Sequence, residues 1–417
     1  MAKSKVLILG SGGREHALCW HLKNSQIEVE CAPGSDAISK ICPIWNFAHF
    51  DELLLKIQAK GISEVIVGPE KYLDEGVADF LNPKGVNVFG PSKSAARLET
   101  DKAYAKAMMK KWGLPTARSE TISTSTEFSS ALSHFRSPYV VKASGLAAGK
   151  GVWIGNDADA ARAFADEMLK THSSVVLEEF LSGEEISYFV LIDGEKHIFF
   201  GAAQDHKRLS ENDAGPNTGG MGAYSPVPLL TTELQDKIEN QIVRPLVAGL
   251  QKEKMHYRGF LFIGLMIVKG EPLVLEFNCR MGDPETQALM LRLKTPLTDA
   301  IRGISQQSPV EFYSGVSLAV VVASKGYPDK PAKDFFLPGI ETNPSGVTLF
   351  HSGTRYEKEN WSAKGGRLFS AGTLEPTLSE AQQKIYSWLE SLELKHVTYR
   401  RDVGAKAFRH LITGPIT

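Results

Sequence analysis

Tyr139-Val140-Val141-Lys142-Ala143-Ser144-Gly145-Leu146-Ala147-Ala148-Gly149-Lys150-Gly151-Val152 is the stretch on which the reading of this chain turns. An apolar strand ends on a lysine, and the loop after it packs three glycines into seven residues around a second lysine. Glycine lets backbone amides approach a polyanion closely, and lysine supplies the balancing charge. Three residues, not four, separate Gly145 from Gly149, and Gly151 stands where a Walker loop needs Ser or Thr for magnesium. The stretch therefore predicts a strand, a mobile phosphate lid and a second strand. Lys142, Ser144, Gly145, Gly149, Lys150 and Gly151 are its candidates for contacting a nucleotide. A plain flexible hairpin is the bland alternative.

Upstream, the apolar runs Val6 to Leu9, Ile27 to Cys31, Val65 to Val67 and Val86 to Phe89 alternate with amphipathic segments. That alternation predicts an α/β unit, a parallel sheet with helices on its faces, closed by Gly90 and Pro91. A helix from Thr100 to about Trp112 is stopped by Gly113 and Pro115. Strands near Val152 to Ile154 and Val175 to Glu178 and a helix over Ala158 to Leu169 complete a compact mixed unit around the lid. Downstream come strands at Ile186 to Ile192 and His197 to Ala203, then a polar stretch, Asp205 to Tyr224, read as a long functional loop. A helix over Glu233 to Leu250 and strands at Phe260 to Val268 and Leu273 to Phe277 follow. From about Gly315 a smaller strand-rich part carries a helix at Ser379 to Leu389.

With 417 residues the chain is too long for one ordinary core. Lys and Arg number 47 against 48 Asp and Glu, a formal net charge of -1, so no bulk charge favours nucleic acid or an anionic membrane. Any anion site has to be local. The apolar runs fall well short of the roughly 20 residues that cross a bilayer, and the start reads as a first strand rather than a signal peptide. Cys19, Cys31, Cys42 and Cys279 form no CxxC pair, which fits a reducing cytoplasm.

Four further constellations carry chemistry. Gly10, Gly12, Gly13, Arg14 and Glu15 follow a strand and open a helix, where free amides favour an anion. A monophosphate, a plain tight turn and a dinucleotide compete there, the last weakened because Glu15 replaces the third glycine of the dinucleotide pattern. Lys102 lies in the first turn of its helix, where a cation is disfavoured unless a phosphate is near. Glu178, Glu179, Leu181 and Glu185 form an acidic crossing suited to an adenine amine or a ribose hydroxyl, with a solvated turn as the alternative. Glu276 and Asn278, one residue apart on an apolar strand, leave the same face and offer two hard oxygen donors for magnesium. Arg280, Asp283 and Glu285 crowd the end of that strand.

Taken in order, GSGGREHAL at Gly10, GPE at Gly68, KASGLAAGKGV at Lys142, LEEFLSGEE at Leu177, QDHKR at Gln204, GPNTGGMGAYSP at Gly215 and LEFNCRMGDPETQ at Leu275 closely resemble the phosphoribosylamine glycine ligase family of ATP-grasp enzymes. GYP at Gly326, HSGT at His351, GGR at Gly365 and RRDVG at Arg400 extend the match. The resemblance implies a multidomain α/β and α+β fold. It has an N-terminal doubly wound substrate domain over 1–100, an ATP-grasp domain over 101–314 with a mobile lid at about 118–184, and a small mixed C-terminal domain over 315–417.

The resemblance also implies roles. Lys102 and Lys142 hold ATP phosphates, Glu178 and Leu181 read adenine, Glu185 takes the ribose, Glu179 is a further ATP-binding candidate, and Glu276 with Asn278 hold magnesium or manganese. Arg280, Lys207 and Asp283 are the catalytic candidates. Gly10, Gly12, Gly13, Arg14, Glu15, Asp205, Gly219, Gly220 and Met221 are the substrate-contact candidates. The implied reaction phosphorylates glycine with ATP and passes the glycyl group to 5-phosphoribosylamine, in a cytoplasmic monomer, with a weak dimer as the alternative. Ser144 departs from the aspartate common in the family, Met281 from phenylalanine and Ser352 from alanine, and residues 259–268 lack the metal-binding acid of many relatives. The competing readings are another ATP-grasp carboxylate-amine ligase, a dinucleotide-dependent oxidoreductase and a non-catalytic nucleotide sensor.

Overall fold

The computed structural model describes residues 5–145, 151–341 and 346–411. Strands Lys5–Gly10, Glu28–Pro33, Glu64–Val67 and Asn87–Phe89 form the expected parallel sheet, with Lys5–Gly10 between Glu28–Pro33 and Glu64–Val67. Val6, Leu7, Ile8 and Leu9 are all fully buried. A parallel sheet covered by helices on both faces requires such an unbroken apolar run. The strand order reverses beside Gly10, which is where doubly wound sheets open a crevice for ligands.

The unit around the lid has its own sheet, in the order Ser119–Ile122, Val175–Glu179, Tyr139–Ala143, Val152–Gly155. Helices Ser125–Ala131 and Ala158–Leu169 close a core of Phe128, Leu132, Val141, Ala161, Ala165 and Leu177. Asp157 starts the second helix by accepting the amides of Asp159 and Ala160.

One expectation is corrected. Residues 205–224 are not a structureless loop. Arg208–Ser210 and Ala214–Asn217 make an antiparallel hairpin, and Gly222–Ser225 is a strand. The hairpin is exposed, so it lacks the apolar alternation that marks a half-buried strand. It is held instead by charge, since the buried Arg400 reaches Asp213 at 2.9 Å. After residue 315, Thr354–Glu357 and Asn360–Ala363 form a two-stranded sheet of their own, whereas the other strands join the central sheet. Gly222–Ser225 pairs with Lys196–Asp205 on one side and Val316–Ser324 on the other. One sheet therefore runs through Glu271–Asn278, Arg258–Val268, Glu184–Asp193, Lys196–Asp205, Gly222–Ser225, Val316–Ser324, Arg367–Glu375 and Thr348–His351. The helix expected over 233–250 is present as Thr232–Ile238 and Arg244–Lys252, joined by a π turn at Glu239–Val243 just before Pro245, which has no amide to donate. Among the described residues no helix is long and apolar enough to cross a membrane.

Candidate active site

A cleft of 880 Å³ opens where these parts meet, lined by side chains from the N-terminal unit, the lid sheet, the long sheet and its C-terminal strands. At its centre Lys142, the last lysine of strand Tyr139–Ala143, donates to Glu178 Oε2 at 3.0 Å and to the Leu275 carbonyl at 3.3 Å. That carbonyl is freed by a register shift opposite Gly264 and Leu265, which leaves Leu275 without a ladder partner. Lys106 also reaches Glu178 Oε2, at 3.2 Å, and donates to Thr116. The sequence reading missed Lys106. The available signal was spacing, because it follows Lys102 by one helical turn on helix Lys102–Lys111 and faces the same side. Burial outweighs the pull of Glu178 and brings the Lys106 ammonium down to about 8.

Lys102 opens its helix just after Asp101, whose carboxylate accepts the Tyr104 amide at 3.0 Å. Its ammonium stands 3.5 Å from the Gly145 carbonyl, at the entry to the lid loop. Ser144 does not line the cleft. Its hydroxyl donates to Asp101 Oδ1 at 2.8 Å and accepts the Ala103 amide at 2.9 Å, so this candidate nucleotide contact instead secures the start of the helix carrying Lys102. Gly145 and Gly151 border the cleft, whereas Gly149 and Lys150 lie outside the described residues.

Glu178, Glu179, Phe180, Leu181 and Glu185 form the edge between strands Val175–Glu179 and Glu184–Asp193. Both lysines hold one oxygen of Glu178, while its Oε1 is buried with no hydrogen-bond partner among the described residues. An orphaned acceptor of this kind calls for a donor from a ligand. Phe180 and Ile154 leave large apolar surfaces open to the same space, 43% and 38% exposed. Neither was singled out in the sequence.

Strand Glu271–Asn278 behaves as its alternation predicts. Phe277 enters the core, and Glu276 and Asn278 on either side of it border the cleft. Burial opposes ionisation of Glu276, but Lys207, Lys142, Lys102 and Arg280 outweigh it and hold the carboxyl down at about 2. Lys207 lies 3.0 Å from Glu185 and 3.8 Å from Glu276, and these acids keep its ammonium charged despite burial. Asn278 Oδ1 accepts from Arg280 at 3.3 Å, while its Nδ2 is buried without a partner. A permanently ionised carboxylate beside an amide oxygen is a hard-donor set that fits a divalent cation. Among the described residues no three His, Cys, Asp or Glu side chains gather to hold a metal alone, so further ligands would come from phosphate and water.

Arg280 borders the cleft with its charge already matched by Glu70 at 3.1 Å and Glu99 at 2.8 Å. Lys207 and Lys142 are likewise matched by acids, at Glu185 and Glu178, whereas Lys102 has no ion pair among the described residues. Neither Glu70 nor Glu99 stood out as a partner in the sequence. The far wall comes from C-terminal strands. Arg367 donates to the carbonyls of Gly219 at 2.6 Å and Asp283 at 2.7 Å, and the Tyr327 hydroxyl accepts the Gly219 amide at 2.9 Å. GYP and GGR carried these two residues unnoticed. Asp283 Oδ1 sits 3.5 Å from Arg367 and accepts from Gln287 at 2.9 Å. Asp205 and Gly219 border the cleft. Gly220 has no room for a side chain, since a Cβ there would stand 2.5 Å from Pro284 and 2.8 Å from Asp205. Met221 is fully buried and takes no part in the cleft.

The N-terminal loop is organised by one of its own side chains. Glu15 turns back over its own helix, accepting the Gly12 amide at 2.6 Å and Arg14 Nε at 2.6 Å. A Cβ on Gly10 would stand 2.5 Å from the Glu15 side chain, and Gly68 faces the same carboxylate. Glu15 therefore already places a carboxylate at this helix start, where the dipole favours negative charge. Gly10, Gly12 and Glu15 serve this turn, Gly13 packs against Ser352 and Gln287, and Arg14 alone of the loop borders the cleft.

Residues 4–99, 100–286 and 317–406 match, in order, the N, ATP-grasp (A) and C domain models of phosphoribosylglycinamide synthetase. A phosphoribosylamine–glycine ligase of Ralstonia nicotianae is 40% identical over 97% of this chain and 100% of its own. Another from Chlorobaculum tepidum is 39% identical over 97% and 100%. The crystal structure of phosphoribosylamine–glycine ligase from Thermotoga maritima superposes with a TM-score of 0.83 at 34% identity, covering 96% of this chain and 100% of that one. A biotin carboxylase from Campylobacter jejuni shares the fold at a TM-score of 0.73 and 14% identity, over 96% and 93%. With residues 4–286 and 317–406 matched in order by the family's domains, the chain belongs to the phosphoribosylglycinamide synthetase family, whose relatives above are named phosphoribosylamine–glycine ligases.

Proposed function

We propose that the cleft joins glycine to 5-phosphoribosylamine at the expense of ATP, through a glycyl phosphate intermediate. The observation that carries this reading is the gathering of Lys102, Lys142 and Lys207 beside Glu276 and Asn278, with an unsatisfied acceptor, Glu178 Oε1, at the edge strand. Lysines around hard oxygen donors suit a polyphosphate, and the free oxygen suits the amine of an adenine lying between Ile154 and Phe180. Glu276 and Asn278 would hold magnesium or manganese, which when bound neutralises phosphate charge.

In the first step a glycine carboxylate oxygen attacks the γ-phosphorus and ADP leaves. Lys142, Lys102 and Lys207 draw the phosphate charge away from the nucleophile, since phosphoryl transfer depends mainly on positioning and electrostatics. In the second step the amine displaces phosphate from the acyl carbon. The Arg367–Asp283–Gly219 wall, with Arg14 beside Asp283, forms the end of the cleft left for the sugar phosphate. ADP release should require glycine and freshly made 5-phosphoribosylamine together. Equal release with either omitted, or with D-alanine in place of glycine, overturns the reading.

A further inference from the structure

The acids of the cleft differ in one respect. Glu70 and Glu99 pair with Arg280, Glu185 and Glu276 with Lys207, and Asp283 with Arg367. Asp205 borders the same space with no ion pair among the described residues, as do Glu179, whose carboxylate takes the Arg118 amide, and Glu285. Its Oδ1 accepts the His206 amide at 2.6 Å, and no hydrogen bond to a described residue takes its Oδ2. Asp205 follows strand Lys196–Asp205 to its end, two residues before Lys207, and stands against Gly220 of the turn that Arg367 ties to Asp283. It therefore lies between the ammonium that reaches Glu276 and the wall built by the C-terminal strands. That is the junction of the phosphate end and the acceptor end of the cleft.

We infer that Asp205 is the catalytic proton acceptor for the attacking amine in the amide-forming step. This rests on the ligase reading above. The amine nitrogen of 5-phosphoribosylamine forms a bond to the acyl carbon of glycyl phosphate, and the carbon–oxygen bond to phosphate breaks with its electron pair on the leaving oxygen. The nitrogen keeps one hydrogen in the amide and gives the other as a proton to Asp205 Oδ2, which passes it to the departing phosphate. No oxidant or further reactant is needed.

The surroundings equip Asp205 for this. Burial raises its carboxyl well above the usual range, the nearby Glu285 adds to the rise, and Lys207 and Arg367 oppose it. A carboxylate so placed takes a proton readily, as a general base requires. Glu285 is the competing acid and is less suited. It is 3% exposed, its Oε1 accepts the Ser187 hydroxyl at 2.9 Å, and its other oxygen packs over Gly282. Asp283 is held low, because Arg367 and Arg14 outweigh its burial.

The test is a single-turnover quench experiment on the full chain with ATP, magnesium, glycine and 5-phosphoribosylamine, reading ADP and amide separately. In the wild type both appear together. In Asp205→Asn, ADP should form in the first turnover at close to the wild-type rate while amide lags by at least about 100-fold, the low end for losing a general base. A structural role would slow both alike, and that result, or amide formation at the wild-type rate, overturns the assignment. If the Asn variant fails to fold, the same split is read on Asp205→Glu, where a displaced carboxylate should still delay amide more than ADP. Failure of the wild type itself to form ADP with both substrates present sinks the ligase reading, a result distinguishable from failure of the Asp205 role.

Discussion

Lys207 Nζ lies 3.8 Å from Glu276 Oε1 and keeps that carboxylate charged, although nothing in the sequence joins the two residues. If Glu276 holds the cation, Glu276→Gln keeps the volume and removes the charge. Its fold should survive, since Lys207 retains Glu185. Turnover should fall roughly 100-fold or more, the scale of losing one preorganised electrostatic group. Raising magnesium should restore part of it. A lowered melting temperature without nucleotide, together with unchanged magnesium dependence of the residual activity, would instead mark Glu276 as structural.

Ser144 joins the lid strand to the start of the Lys102 helix through Asp101 and the Ala103 amide. Ser144→Ala removes both bonds and should cost about 1 to 3 kcal/mol, with a several-fold higher KM for ATP as Lys102 loosens. Ser144→Asp, although aspartate is common at this place in the family, would set a second carboxylate against Asp101 and should be the more damaging of the two. Denaturant titration and ATP kinetics on both variants check the order. A Ser144→Asp chain as stable as the wild type contradicts it.

Burial holds His16 and His21 down at about 4 and His206 and His351 at about 3. His16 Nδ1 also accepts the His351 amide at 2.9 Å, tying the first helix to strand Thr348–His351 through a lone pair that protonation would remove. As pH falls from 6.5 towards 4, the unfolded chain binds protons that the folded chain refuses. Stability should therefore be lost in that window, by up to about 1.4 kcal/mol per pH unit for each histidine. His16→Gln, which keeps an acceptor and has no titrating ring, should lose less between pH 7.5 and 5. A wild-type unfolding free energy that is flat over the same interval would contradict the account.

Arg367 bonds the carbonyls of Gly219 and Asp283 in the wall of the cleft proposed above for the sugar phosphate. Arg367→Met should raise the KM for 5-phosphoribosylamine by roughly ten-fold or more, the value of a charged hydrogen bond or two, and change the KM for ATP far less. Steady-state kinetics with each substrate varied in turn read the split. A larger effect on ATP would move Arg367 to the nucleotide side.

The sequence shows most clearly what local pattern controls. The first strand of the parallel sheet holds the unbroken apolar run Val6 to Leu9, helix Ala158–Leu169 has the bounds read from the sequence, and Glu276 and Asn278 flank a buried Phe277 as strand alternation requires. What escaped depends on pairings that only the folded chain creates. Gly222–Ser225 is too short to show alternation, yet it joins the central and C-terminal parts into one sheet. At the glycine loop the sequence gives no sign that Glu15 turns back on itself to take the Gly12 amide. Arg280 looks like a free cation until Glu70 and Glu99, some 200 residues away, are brought beside it. Lys106 was the miss that spacing alone could have prevented.

The central claim is that the carboxylate of glycine is phosphorylated in this cleft before the amide forms. The most direct measurement supplies glycine labelled with oxygen-18 in both carboxyl oxygens, together with ATP, magnesium and 5-phosphoribosylamine, and analyses the released phosphate by mass spectrometry. A glycyl phosphate intermediate transfers one labelled oxygen to each phosphate and leaves the other in the amide product. Unlabelled phosphate formed in step with ADP would contradict the account.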